Sequence, residues 1–158
     1  MGDPSPLDTV KRSSQSFIAA YDSNDTETMK RASSEGMGAL RQLVLNHRRK
    51  IDDGKVAADH RFGRKHATTN DDIRRKVSSL SKSSNHQYRN EQHTLSTRDI
   101  ANAIAHADEA AWGFRVEASS KHILIIGVPS ARSSDDAWIA EFEVAALCEA
   151  IDAELNPA

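Results

Sequence analysis

One run of residues constrains the fold of this chain more than any other. Met29, Ala32, Met37, Leu40, Leu43, Val44, His47 and Ile51 recur at helical spacing and mark one apolar face. Asn24 or Asp25 stands ahead of the run as a cap, and Glu27 lies in the first turn, where the helix dipole favours a carboxylate. Asp52-Asp53-Gly54 has the composition of its end. The spacing therefore predicts a long amphipathic helix that needs a partner for its apolar side. Gly36 and Gly38 inside it weaken the helix or permit close approach of another. The nearest partner is upstream. Ser5 caps a helix with Pro6 in its first turn, and Leu7, Val10, Phe17, Ile18 and Tyr21 share a face until Asp22–Asn24 breaks the run.

Beyond Gly54 the pattern changes. Residues 54–70 are polar and basic, with few apolar anchors, and read as a loop or mobile arm. Residues 71–83 predict a short helix with Ile73, Val77 and Leu80 on one side. Residues 81–95, rich in Ser, Asn, Gln and His, read as a linker. Ser96-Thr97-Arg98-Asp99 fits a capping box ahead of a helix lined by Ile100, Ala103, Ile104, Ala107 and Ala111, ending at Trp112-Gly113. Phe114, Val116 and Ala118 alternate with Arg115 and Glu117 as in a half-buried strand, and Lys121–Val128 reads as a covered strand stopped by Pro129. A final helix, capped at Ser133 or Ser134, is expected to carry Trp138, Ile139, Phe142, Ala145, Ala146, Ile151 and Leu155. The fold class is thus α+β and mostly helical. It comprises an N-terminal helical pair (1–53), a basic, partly flexible middle (54–95) and a C-terminal helix–β-hairpin–helix unit (96–158), read as one compact domain overall.

Composition bounds the function. The 158 residues suffice for a core without covalent staples. Cys148 is the sole cysteine, which excludes an intramolecular disulfide and fits a reducing intracellular compartment, cytoplasm or nucleus. The opening residues contain no secretory leader pattern, and no apolar run approaches a membrane span. Cys148 lies in an apolar helical pattern, where a thiol is an inert core residue.

The informative feature is charge distribution. Net charge is −2, yet residues 41–98 hold fourteen Lys/Arg against six Asp/Glu, while residues 99–158 hold three against eleven. Arg48, Arg49, Lys50, Arg61, Arg64, Lys65, Arg74, Arg75, Lys76, Lys82 and Arg89 are the cations expected to contact a nucleic-acid phosphate backbone. Interspersed Ser, Thr and Asn supply neutral phosphate contacts, and the scarcity of aromatics argues against a stacking platform for single strands. The sequence reading is therefore a non-enzymatic nucleic-acid-associated accessory protein.

Its rival is a self-assembling structural or adaptor protein whose basic arm pairs with acidic surface, in the same chain or in a neighbouring copy. Trp138 and Phe142, one turn apart in the expected final helix, are the candidates for self-association. A third reading is an RNA-processing enzyme, because Arg89-Asn90-x-x-His93 and the Arg41–His47 interval have the Arg–His spacing of some helical ribonucleases. Seven histidines make such spacings common by chance. No catalytic residue, metal or cofactor is assigned: His60 with His66, or His86 with His93, lacks metal-site spacing, and Gly127 with Arg132 is too little for a phosphate loop. A winged helix-turn-helix is disfavoured because His106-Ala107-Asp108-Glu109 would present carboxylates to the major groove.

Overall fold

The computed structural model describes residues 5–82, 94–107, 109–117 and 120–156. Helices α1 (Pro6–Asp22) and α2 (Thr26–Asp52) form the expected pair. Their ends follow from the caps: the Ser5 side chain accepts the Asp8 N–H, and Asp25 accepts the Thr28 N–H at 3.1 Å. Close approach is real at Gly36, where an added Cβ would lie 3.0 Å from Ser13 Cβ.

The remaining described strands and α-helices are β1 (Arg61–Phe62), β2 (Arg64–Ala67), α3 (Ile73–Lys82), β3 (Leu95–Ser96), α4 (Thr97–His106), β4 (Trp112–Glu117), β5 (Lys121–Val128), β6 (Trp138–Glu143) and α5 (Val144–Leu155). The main sheet is antiparallel in the order β2-β6-β5-β4, and β1 pairs separately with β3. The sheet is covered on both faces. Ile123, Ile125 and Ile139 point to one side, where α3 lays Ile73, Val77 and Leu80 on them. Leu124, Ile126, Ala140 and Phe142 point to the other, into a larger core shared with α1, α2, α4 and α5.

The α+β class with its N-terminal helix pair holds, and two elements correct the expectation. The first is the middle segment. Residues 54–70 are not wholly a loop or arm: β2 is an edge strand, with Arg64 opposite Glu141 and His66 opposite Ile139. Its inward side chains are polar, so no apolar alternation marks it in the sequence. The second is the final helix. Residues 138–143 are a strand paired along β5, Leu124 opposite Phe142 and Ile126 opposite Ala140, and the helix begins only at Val144. Both faces of this central strand are covered, and Ile139, Ala140, Glu141 and Phe142 are each 0% exposed. It therefore lacks the period of two that exposes a strand to sequence reading.

Smaller differences are of boundary. The capping box of α4 is present, with Ser96 and Asp99 bonded reciprocally, but the helix ends at His106 and the strand starts at Trp112. Cys148 is fully buried, and that burial pushes its thiol up to about 11, as expected of a core residue. No described helix is long and apolar enough to cross a membrane.

Candidate functional site

The cations expected to bind phosphate fall into two groups on opposite layers of the molecule. Helix α3 carries the first. Its apolar side faces the sheet, so the rest of its circumference is turned outward. That outer face exposes Arg74, Arg75, Ser78, Ser79 and Lys82, and the helix contains no carboxylate. From Arg74 to Lys82 is about 12 Å along the axis, or three to four phosphate steps of one strand. Arg75 also meets Asp72 at 2.6 Å, a fully surface pair of small worth that a phosphate can displace. Lys76 donates to the Ala67 carbonyl, tying α3 to β2.

Strand β2 adds Arg64 and Lys65. Lys65 is exposed, and its Nζ stands 5.1 Å from the Trp138 ring centroid, a cation–π contact. Arg64 is half-buried on the inward face. Beside it His66 Nε2 meets Glu141 Oε1 at 3.0 Å, while Arg115 Nη2 donates to Glu141 Oε2 at 2.8 Å. Burial alone would raise the Glu141 carboxyl, but hydrogen bonds from His66 and Arg115 outweigh it and hold the group down at about 2. Part of the basic middle is thus paired with the acidic last third inside one chain.

The second group lies where α2, the 59–61 segment, α4 and α5 meet. Arg49 and Lys50 are exposed, Arg48 and Arg98 share Asp52, and Arg61 meets Asp99 at 3.5 Å. This group is diluted by Asp52 and Asp99, as Asp72 offsets Arg75 on α3. At its centre is Glu154, on the last turn of α5, with a side chain 0% exposed. Its Oε1 accepts from His47 Nε2 at 2.8 Å and from the Thr97 hydroxyl at 2.7 Å. Its Oε2 accepts the His60 backbone N–H at 3.0 Å and lies 3.3 Å from His60 Nδ1. A buried carboxylate survives only when its lone pairs are occupied in this way.

His60 itself is 46% exposed, and Asp59 Oδ1 approaches the same Nδ1 at 3.1 Å. The ring thus stands against two carboxylates, one exposed and one buried. Ligand atoms of Asp59, His60 and Glu154 lie within 4.8 Å of one another, a spacing that can hold a metal ion. However, Glu154 already accepts three hydrogen bonds and lies 3.3 Å from His60 Nδ1, so its arrangement is that of an orienting carboxylate, and no metal is assigned.

Phe142 requires a correction. It is 0% exposed, edge-on to Phe62 in the core, and has no surface with which to self-associate. Trp138 keeps partial exposure under Lys65. Arg89, His86 and His93 lie outside the described residues. Sequence reasoning missed Glu154, Thr97 and Arg98. The available signal was Glu154 itself, a carboxylate three residues after Ile151 on the buried stripe of α5. Comparison with protein families, with curated proteins and with solved structures finds no match to this chain.

Proposed function

We propose that this chain is a non-enzymatic, nucleic-acid-associated accessory protein of a reducing compartment. It contacts phosphate backbones through the outer face of α3 and the adjoining β2 edge, chiefly Arg74, Arg75, Lys82 and Lys65. The observation that carries the reading is the composition of that face: flexible cations and hydroxyls, with no carboxylate in the helix. Cations release condensed counterions from phosphate, and Ser78 and Ser79 add neutral contacts. The contacts proposed are to phosphate, which carries no sequence information.

The test is binding of labelled duplex DNA, single-stranded DNA and RNA across a salt series. The triple variant Arg74→Gln/Arg75→Gln/Lys82→Gln is compared with Arg48→Gln/Arg49→Gln/Lys50→Gln. Log-linear loss of duplex binding with salt is expected, with the slope of the α3 variant shallower by about 2–3. Equal slopes in wild type and the α3 variant, or no binding at about 50 mM salt, overturn the reading.

A second reading, phosphodiester cleavage, is favoured by the His60–Glu154 pair. In that case His60→Ala abolishes turnover of RNA while leaving its binding intact, and undiminished turnover by that variant removes the reading.

A further inference from the structure

Helices α1 and α2 do not close completely on the sheet. Between them and the β4–β5 strands lies a cavity of about 410 Å³, within the range of small-molecule sites. It lies on the side of the sheet opposite α3, walled by Val10, Leu40, Leu124 and Val144 of the larger core. These four and Phe17 are buried. The cavity also reaches the surface, because Ser33, Gly38 and Phe114 line it and are exposed. Phe17 and Phe114 meet edge-on with centroids 4.8 Å apart, so one aromatic wall runs from the interior to the mouth. Apolar surface left open to water in this way gains by covering itself with an apolar body.

The charge in the cavity is of one sign. Among the described residues that line it, Arg41 is the only one ionised at every physiological pH, and none is a carboxylate. Arg41 is half-buried, and its guanidinium carbon stands 5.6 Å from the Trp112 ring centroid, over the ring face, a cation–π contact that helps to fix the cation. A guanidinium carries five N–H donors in one plane, so a carboxylate can be added to the contacts Arg41 already makes. His122 is engaged elsewhere: its Nδ1 lies 2.9 Å from Ser14 Oγ, and its ring stacks on Phe17 at 4.6 Å. Desolvation lowers it to about 4, so at physiological pH it adds no second charge. An apolar floor with one cation selects by charge. A carboxylate gains a partner there, an alcohol gains less, and an ammonium meets its like.

We propose that this cavity binds a small amphiphilic carboxylate, its apolar body against Phe17 and Leu124 and its carboxylate on the Arg41 guanidinium. The site is independent of the phosphate-contacting face of α3, which lies across the sheet.

Octanoate tests this, with 1-octanol and octylammonium as controls of equal chain length. NMR of the Arg41 Nε–H and of the Val10, Leu124 and Val144 methyl groups reads the binding. Saturable movement of these signals is expected with millimolar octanoate, with octanol binding more weakly and octylammonium more weakly still. Arg41→Gln should weaken octanoate by at least about tenfold, the size of one hydrogen bond to a charged group, and leave octanol nearly unchanged. Leu124→Phe, which carries a larger side chain into the cavity, should weaken octanoate and octanol together. The Arg74→Gln/Arg75→Gln/Lys82→Gln variant should bind octanoate as the wild type does, so this site and the nucleic-acid reading stand or fall separately. Signals unmoved by millimolar octanoate overturn the proposal. So does octanol or octylammonium binding as tight as octanoate, or octanoate binding that Arg41→Gln leaves unchanged or that the α3 variant removes.

Discussion

Glu154 Oε1 and His47 Nε2 are 2.8 Å apart across 107 residues of sequence, and the bond ties the last turn of α5 to the interior of α2. The same oxygen holds Thr97, so three helices meet on one buried carboxylate. Glu154→Ala leaves the His47 ring nitrogen, the Thr97 hydroxyl and the His60 N–H without their acceptor. The expected loss is about 3–5 kcal/mol in urea unfolding. A loss under roughly 1 kcal/mol would mean that water replaces the carboxylate and that the centre is not closed.

The Glu141 carboxyl is held at about 2 against an ordinary 4.5. A depressed acid contributes stability that is complete above its unfolded value and is lost as pH falls through 4.5 toward 2. The wild type should lose roughly 3 kcal/mol from this group over that window. Glu141→Gln should start less stable at pH 7 and show a flatter acid limb. Parallel acid limbs in the two proteins contradict the assignment.

His122 acts in a different window. Its folded value, about 4, lies below the ordinary 6.5, so the unfolded chain takes up the proton first. Stability is therefore complete above pH 6.5 and declines as pH falls from there toward 4. His122→Phe keeps a stacking ring on Phe17 and removes the titration. Urea midpoints measured between pH 8 and pH 5 should fall in the wild type and stay nearer level in the variant. A fall of the same size in both proteins places the titrating group elsewhere.

Gly63 joins β1 to β2 at φ +74°, and a Cβ there would lie 2.8 Å from the Glu141 carbonyl oxygen. Both the dihedral and the contact exclude a side chain. Gly63→Ala is expected to destabilise by about 2–3 kcal/mol and to loosen β2 before the rest of the sheet. Hydrogen exchange at the Arg64 and His66 amides, which face β6, reads that local opening. A change within about 0.5 kcal/mol and unaltered exchange would show that the turn relaxes freely.

Much of the fold is legible in the residues because local chemistry decides it. Ser5 and Asp25 begin the first two helices, the Ser96–Asp99 box begins α4, and Ile73, Val77 and Leu80 set the buried side of α3. The failures share one cause. Trp138, Ile139 and Phe142 also fit a helical stripe, and with both faces of the strand buried, only pairing with β5 decides between the two. Likewise β2 exists because Glu141 receives His66, a relation between residues 75 apart that no local window contains. The candidate site divides in the same way. Arg74, Arg75 and Lys82 were visible as charge, whereas the Glu154 centre depends on four segments meeting.

That distance has a consequence for how the chain is made. At synthesis rates of roughly 5–20 residues per second, about 4–15 s pass between His66 and the residue that receives it. During that interval the cationic middle is out of the ribosome without the carboxylates of Glu141 and Glu154. Residues 1–132 hold twenty-one Lys/Arg against sixteen Asp/Glu, so the nascent chain is net cationic until residues 133–158 arrive. Arrival of β6 and α5 is then what completes the sheet and pairs part of the middle.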